Sequence, residues 1–197
     1  MSGGNNIKKL IYFNIPLVIV LIYLISIWVQ PINSMIYLDD VNISELVQYR
    51  LENADDMGKL NEISSRLPGN ISRSGEGLVW GSDANLQISY GYHGGNKFSL
   101  KKLDRYWRDN KEKIFLLNAT MYFILIPKVQ RVTIELDVPY KQKFQVTRKD
   151  LVKFYGRDLN EYYLDSSLFQ REVIRGTIKS NKRLKEFFQI YKIEEVK

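Results

Sequence analysis

Two apolar runs decide how much of this chain can lie in water. The first, Leu10 to Val29, contains twenty residues and no charged side chain. As an α-helix it would be about 30 Å long, which matches the hydrocarbon core of a bilayer. Tyr12 and Trp28 lie near its two ends, where aromatic rings favour the membrane interface. We therefore expect a single transmembrane helix over residues 10–29.

A cleaved signal peptide is the alternative for this run, and it stays open. Such a peptide has a shorter apolar region followed by small residues at the cleavage site. Here the run is long, and the bulky sequence IWVQPIN stands where a small-residue cleavage site would be expected. We favour an uncleaved anchor.

The second apolar run, Ile114 to Ile126, is too short to cross a bilayer. It has thirteen residues, includes Asn118 and Thr120, and ends at Pro127. Runs of this length are more often buried helices of a folded domain. We expect the central core helix here and one membrane crossing in total.

The charges that flank the first run predict its orientation. Lys8 and Lys9 precede it, whereas Asp39 and Asp40 follow it with no intervening Lys or Arg. Positive charge is retained on the cytoplasmic side. The expected organisation in the cell membrane is a cytoplasmic segment 1–9, the helix 10–29, a tether 30–41 and an extracytoplasmic domain 42–197.

The outer domain has the pattern of an α+β fold. Residues 44–70 are expected to be helical. Met57, Leu60, Ile63 and Leu67 recur at helical spacing, and Asp55 and Asp56 before them form the acidic first turn that helices favour. A hairpin is expected over GLVWGSDANLQISYGY, and two further strands over VQRVTIELDV and YKQKFQV, with Tyr140, Phe144 and Val146 inward. Helices are expected after Thr147, which begins a capping box with Asp150, and over NKRLKEFFQIYKI. The prediction is a small antiparallel sheet packed against helices.

Four segments carry a resemblance to a known family. They are LVQYRLENADDMGKLNEISSRLP, LQISYGY, NATMYFILIPKVQRVTIEL and QVTRKDLVKFYGRDL, which lie between about residues 46 and 160. In their order the chain resembles the domain-of-unknown-function family 4825, found in envelope-anchored proteins of low-GC Gram-positive bacteria. The resemblance implies an extracytoplasmic α+β module and brings no catalytic residues with it.

Residues able to carry chemistry are sparse. The chain has no cysteine, and its single histidine, His93, lies in a glycine-rich turn without a partner for catalysis or metal binding. Carboxylate pairs occur at Asp39/Asp40, Asp55/Asp56 and Glu194/Glu195, but adjacent residues on a helix do not face each other. We expect no cofactor, no metal and no catalytic residue.

Positive charge is concentrated in the C-terminal third. Residues 141–197 hold fourteen Lys and Arg against eight Asp and Glu. The candidate contacts with an anionic surface, either lipid or wall polymer, are Arg175, Lys179, Lys182, Arg183 and Lys185. A solvated surface is the alternative interpretation, and no nucleic-acid role is expected.

These patterns favour a non-catalytic binding or interaction module in the bacterial cell envelope, in sensing or regulation, with an unknown envelope protein as partner. A structural subunit of a membrane complex is the first alternative. A carboxylate-dependent envelope hydrolase is the second, and it requires two converging acids.

Overall fold

The computed structural model describes residues 35–51, 56–79, 84–92 and 98–196, with the side chains of residues 78 and 79 excepted. Residues 35–197 group as one compact unit. The predicted transmembrane helix, the cytoplasmic segment and residues 30–34 of the tether lie outside the described residues. In the described part of the chain, no helix combines the length and the apolarity that a membrane crossing needs.

The predicted α+β class is confirmed, and the described strands form one five-stranded sheet in the order β1-β2-β3-β4-β5. The strands are β1 (Arg73–Val79), β2 (Asn85–Tyr90), β3 (Arg131–Leu136), β4 (Gln142–Thr147) and β5 (Glu194–Glu195). The predicted hairpin is β1–β2, and the two later strands are β3–β4; both pairs are antiparallel.

The prediction of a purely antiparallel sheet was wrong, because β2 and β3 pair in parallel. Parallel neighbours need a long crossover connection, usually a helix. The connection here contains the longest described helix. That helix therefore belongs to the crossover between the two central, parallel strands.

The described α-helices are α1 (Ile43–Leu46), α2 (Met57–Ser65), α3 (Leu100–Leu125), α4 (Arg148–Tyr155), α5 (Asn160–Leu164), α6 (Ser166–Leu168) and α7 (Asn181–Ile190). A π-helix, Phe169–Ile178, follows α6, and short 3-10 helices lie at Leu38–Asp40, Val47–Tyr49 and Asn70–Ser72. The sequence patterns predict no helix in residues 157–180, where the structure has α5, α6 and the π-helix.

The central core helix was predicted correctly and is longer than expected. Every residue of α3 from Ile114 to Leu125 is buried, whereas its first half buries only Leu103 and Trp107. The charged side chains of that first half are not buried. One helix therefore combines a charged, surface half with a buried, apolar half. The second half, which is apolar on all sides, is surrounded by the domain itself.

The single helix expected over residues 44–70 is instead interrupted. Its first part ends by Tyr49, and Leu51 donates its backbone N–H to the Leu125 carbonyl at 2.8 Å. The second part begins at Met57, which is largely exposed, after an N-cap by Asp56. Asp55 lies outside the described residues.

The capping predictions around α4 are confirmed. The Thr147 hydroxyl accepts from the Asp150 backbone N–H, and the Asp150 carboxylate accepts from the Thr147 N–H, which satisfies two otherwise unpaired donors. Gly156 ends the helix in the left-handed region, the conformation in which glycine commonly ends helices. Phe144 and Val146 are buried as expected, but Tyr140 is exposed in the turn before β4.

Candidate anionic-ligand surface

Several polar side chains buried in the core form hydrogen bonds with one another or with the backbone. Asn118, fully buried on α3, donates through Nδ2 to the Pro68 carbonyl at 2.8 Å and to the Tyr90 hydroxyl at 2.9 Å. The Trp107 indole donates to the Ser72 hydroxyl at 3.0 Å. These bonds fix the loop after α2 against α3 and β2, so they stabilise the fold.

Arg148 closes the C-terminal end of α3. Its guanidinium donates to the backbone carbonyls of Val129 at 3.0 Å, Phe123 at 2.6 Å and Ile126 at 3.0 Å. The last carbonyls of a helix have no partner within it, so a buried cation is well placed there. Burial lowers the pKa of Arg148 to about 10. The residue is therefore structural and is not free to bind a ligand.

Burial raises the pKa of several tyrosines on or beside α3. Burial raises the pKa of Tyr122 to about 12, and it raises the pKa of Tyr90, Tyr106 and Tyr155 as well. The Tyr122 hydroxyl donates to Ser64 at 3.0 Å. These are neutral phenols packed in a core, an arrangement that favours stability over proton transfer.

Most described carboxylates serve local structure. Asp56 and Asp165 cap helices, and the Ser167 hydroxyl and nearby backbone amides lower the pKa of Asp165. Several others pair with a neighbouring Arg: Glu62 with Arg66, Glu76 with Arg73, Asp104 with Arg108, and Glu161 and Glu172 with Arg157.

The predicted carboxylate pairs, where described, do not converge. Asp39 contacts Lys179, whereas Asp40 accepts from the Tyr37 backbone. Glu194 and Glu195 lie in β5, where successive side chains point to opposite faces. The described residues contain no group of three or more acidic or histidine side chains able to hold a metal ion. His93 lies outside them.

An open groove of about 330 Å³ lies beside β5. Its charged lining is Lys111, Lys192, Glu112 and Glu195, over the apolar side chains of Phe188 and Ile193. Lysine and glutamate occur there in equal number, so the groove has no net preference for an anion or a cation. It is a weak candidate for a charged ligand.

The structure divides the five predicted contact residues. Lys179 forms an ion pair with Asp39 at 2.5 Å, and Arg183 donates to the Phe154 carbonyl at 2.9 Å. The others are exposed and have no ion-pair partner among the described residues: Arg175, Lys182 and Lys185. The first two are held in place by protein, and the last three are available to a ligand.

Contacts of α7 show that it packs antiparallel against α4. Tyr191, just after α7, lies beside Asp150 near the start of α4. Near the end of α4, the centroid of the Phe154 ring lies 4.8 Å from that of Phe187. The Arg183 guanidinium carbon lies over the same Phe154 ring, 4.5 Å from its centroid. The two helices therefore share one outer surface.

That surface carries lysines that sequence reasoning missed. On α4, Leu151 is buried and the Tyr155 hydroxyl lies 3.1 Å from Thr120 of α3, so this row faces the core. Lys149 and Lys153 come two positions earlier, about 200° round the helix and hence opposite the core. Both are exposed.

Lys182 has the same relation to buried Leu184 on α7, and it is exposed too. We call Lys149, Lys153 and Lys182 the outer face. The nearest acid on that side of α7, Glu186, lies 3.7 Å from Arg183. The signal for Lys149 and Lys153 was their spacing of four residues within a capped helix, but their approach to α7 could not be read from sequence.

No protein-family model matches the chain, and comparison with curated proteins and with solved structures gives no match. The resemblance to family 4825 therefore stays a prediction.

Proposed function

We propose that the chain is a single-pass membrane protein whose extracytoplasmic α+β domain is a non-catalytic binding module of the cell envelope. Its ligand is an anionic envelope component that binds on the outer face. The resemblance to family 4825 agrees with this assignment and is part of the same proposal.

One observation carries the proposal: polar groups are used in opposite ways inside and outside. Most buried polar groups and most described carboxylates are engaged in hydrogen bonds, caps or ion pairs. The three lysines of the outer face have no ion-pair partner among the described residues. Several exposed lysines on one surface, without acids to pair with them, attract anions. The outer face therefore presents positive charge, unpaired within the described part of the chain, to which an anionic ligand can bind.

Membrane topology is tested by cysteine labelling, because the native chain has none. One variant carries Ser2→Cys and another Ser166→Cys, an exposed position on α6. Intact cells are treated with a membrane-impermeant maleimide. Labelling at position 166 alone supports the proposed orientation. Labelling at position 2 alone inverts the protein and contradicts it.

Ligand class is tested by binding of the full chain in zwitterionic nanodiscs to fluorescent polyphosphate. We expect binding that weakens as salt rises, since it depends on charge. Lys149→Gln/Lys153→Gln/Lys182→Gln should weaken it at least tenfold, whereas Lys59→Gln/Lys101→Gln/Lys128→Gln, with the same loss of charge at other exposed lysines, should not. Equal loss in both triple variants would mean net charge alone acts.

A protein partner is the second candidate, and the free edge of the sheet favours it. β1 is the terminal strand, and no described strand pairs with its outer side. Gly75 and Gly77 leave open space where a side chain would stand, so another backbone can approach. Partners of this kind add a strand to an exposed edge. Gly75→Pro should then abolish co-purification of the partner without affecting polyphosphate binding.

A further inference from the structure

We propose that the outer face binds the anionic phospholipid headgroups of the membrane that holds the chain's own anchor. This inference rests on the proposed function, since it names the ligand for the same surface. It has three supports: the length of chain before the described domain, the charge of the face, and the kind of residue that forms it.

The length of chain limits how far the domain can lie from the bilayer. The described residues begin at Met35, six positions after Val29, where the predicted helix ends. Six extended residues reach about 20 Å at most. The domain is therefore confined close to the headgroups, where the concentration of lipid is high and a weak surface contact is sufficient.

An ion pair connects this membrane-proximal segment to the residue before the N-cap of α7. Asp39, ten positions after Val29, lies 2.5 Å from Lys179. Lys179 is followed by Ser180, which caps α7, and Lys182 lies in the first turn of that helix. The segment leading from the membrane is thus attached beside the lysine-bearing end of α7.

Charge complementarity requires close approach. The attraction between basic side chains and an anionic leaflet falls off within about 8 Å at physiological salt. Lys149, Lys153 and Lys182 are exposed on the side opposite the core, so all three can reach the same plane. The acid on that side, Glu186, forms an ion pair with Arg183 at 3.7 Å.

The composition of the face favours lipid over protein. Protein interfaces are enriched in aromatic residues and Arg at their centres and depleted in Lys. The outer face consists of lysines, and its aromatic neighbours Phe154 and Phe187 are packed against each other at 4.8 Å. Long, flexible ammonium side chains suit a fluid layer of phosphates, which offers no fixed bidentate geometry.

The experiment measures protection of a single cysteine on this surface. Gln189→Cys is placed in the full chain, one heptad after Lys182 and so on the same row of α7. Ser166→Cys is the control position. Each variant is reconstituted in zwitterionic or anionic nanodiscs, and the rate of reaction with an uncharged, impermeant maleimide is measured.

We expect the reaction at position 189 to be at least tenfold slower in anionic than in zwitterionic nanodiscs, with position 166 unchanged. High salt should remove the difference, and so should Lys149→Gln/Lys153→Gln/Lys182→Gln. Each lysine near an anionic surface contributes about a fivefold change. The matched variant Lys59→Gln/Lys101→Gln/Lys128→Gln should keep the protection.

Other outcomes separate the inference from the function on which it rests. Equal rates in the two lipids, with polyphosphate still protecting position 189, would overturn the lipid assignment and leave a soluble anionic polymer as ligand. Protection by neither would overturn both. Protection that survives the outer-face variant would place the lipid contact elsewhere on the domain and overturn the inference.

Discussion

Around α3, polar side chains lie inside the protein and form defined hydrogen bonds, as the Asn118 amide nitrogen does with Pro68 and Tyr90. On the outer face, lysines of α4 and α7 lie in solvent with no ion-pair partner among the described residues. The first arrangement makes a unique packing necessary, because a buried polar group that loses its partner is costly. The second adds little to folding. The contrast indicates which part of the domain is built for stability and which is available for binding.

The sharpest way to break the interior arrangement is Asn118→Asp, which keeps the shape of the side chain. A carboxylate cannot donate to the Pro68 carbonyl, and the site is fully buried. We expect a loss of about 3–5 kcal/mol in unfolding free energy at neutral pH, the usual effect of an uncompensated buried charge. Urea unfolding measures it, and the loss should shrink as pH falls and the new acid is protonated.

The control for that substitution is Asn181→Asp, the same change at an exposed position in the first turn of α7. Negative charge at a helix N-terminus is favourable by about 0.3–1 kcal/mol. The control should therefore be neutral or slightly stabilising. Similar losses at both positions would mean that Asn118 has no special part in the core.

Two glycines allow the same comparison for the backbone. Gly69 and Gly156 both have positive φ, at 89° and 74°. A Cβ at Gly69 would lie 2.8 Å from the Trp107 ring, whereas a Cβ at Gly156 would meet nothing within 4 Å. Gly156→Ala should cost about 1–2 kcal/mol for the backbone alone. Gly69→Ala should cost about 1–3 kcal/mol more, because the new methyl group overpacks against Trp107. Thermal unfolding measures the two losses of stability. Equal losses would mean that Trp107 moves freely to accommodate the methyl group.

Alkaline pH tests the buried phenols. Burial raises the pKa of Tyr122 from 10.0 to about 12. A raised pKa in the folded state gives stability that is present below pH 10 and is lost as pH rises toward 12. Each such tyrosine should add about 1.4 kcal/mol per pH unit to the fall in this window. Tyr122→Phe should lower stability at pH 8 but flatten the fall above pH 10; an unchanged slope would contradict the burial argument.

Local rules predicted the elements that depend on neighbours in sequence. The β1–β2 hairpin, the capping box of Thr147 and Asp150, and the buried second half of α3 follow from turn residues, helix caps and apolar runs. These signals act within about a dozen residues. They do not depend on how the elements pack together.

Features set by distant contacts could not be predicted in the same way. The parallel pairing of β2 with β3 joins strands separated by the whole of α3, and alternation of apolar residues says nothing about which strands are neighbours. The outer face was missed for the same reason, since Lys153 and Lys182 share a surface only because Phe154 packs on Phe187. The excess of basic residues was visible, but its division into engaged and available cations was not.

The outer face should tolerate loss of its lysines without loss of stability. Lys149 and Lys153 are four residues apart on α4, and like charges at that spacing repel by about 0.2–0.5 kcal/mol. Lys149→Gln/Lys153→Gln/Lys182→Gln should therefore leave the unfolding free energy unchanged or slightly raised at low salt, and the gain should vanish at high salt. A fall of more than about 1 kcal/mol would exceed the usual effect of surface changes. The lysines would then be part of the fold, and the distinction between a structural interior and an available surface would fail at the place where ligand binding is proposed.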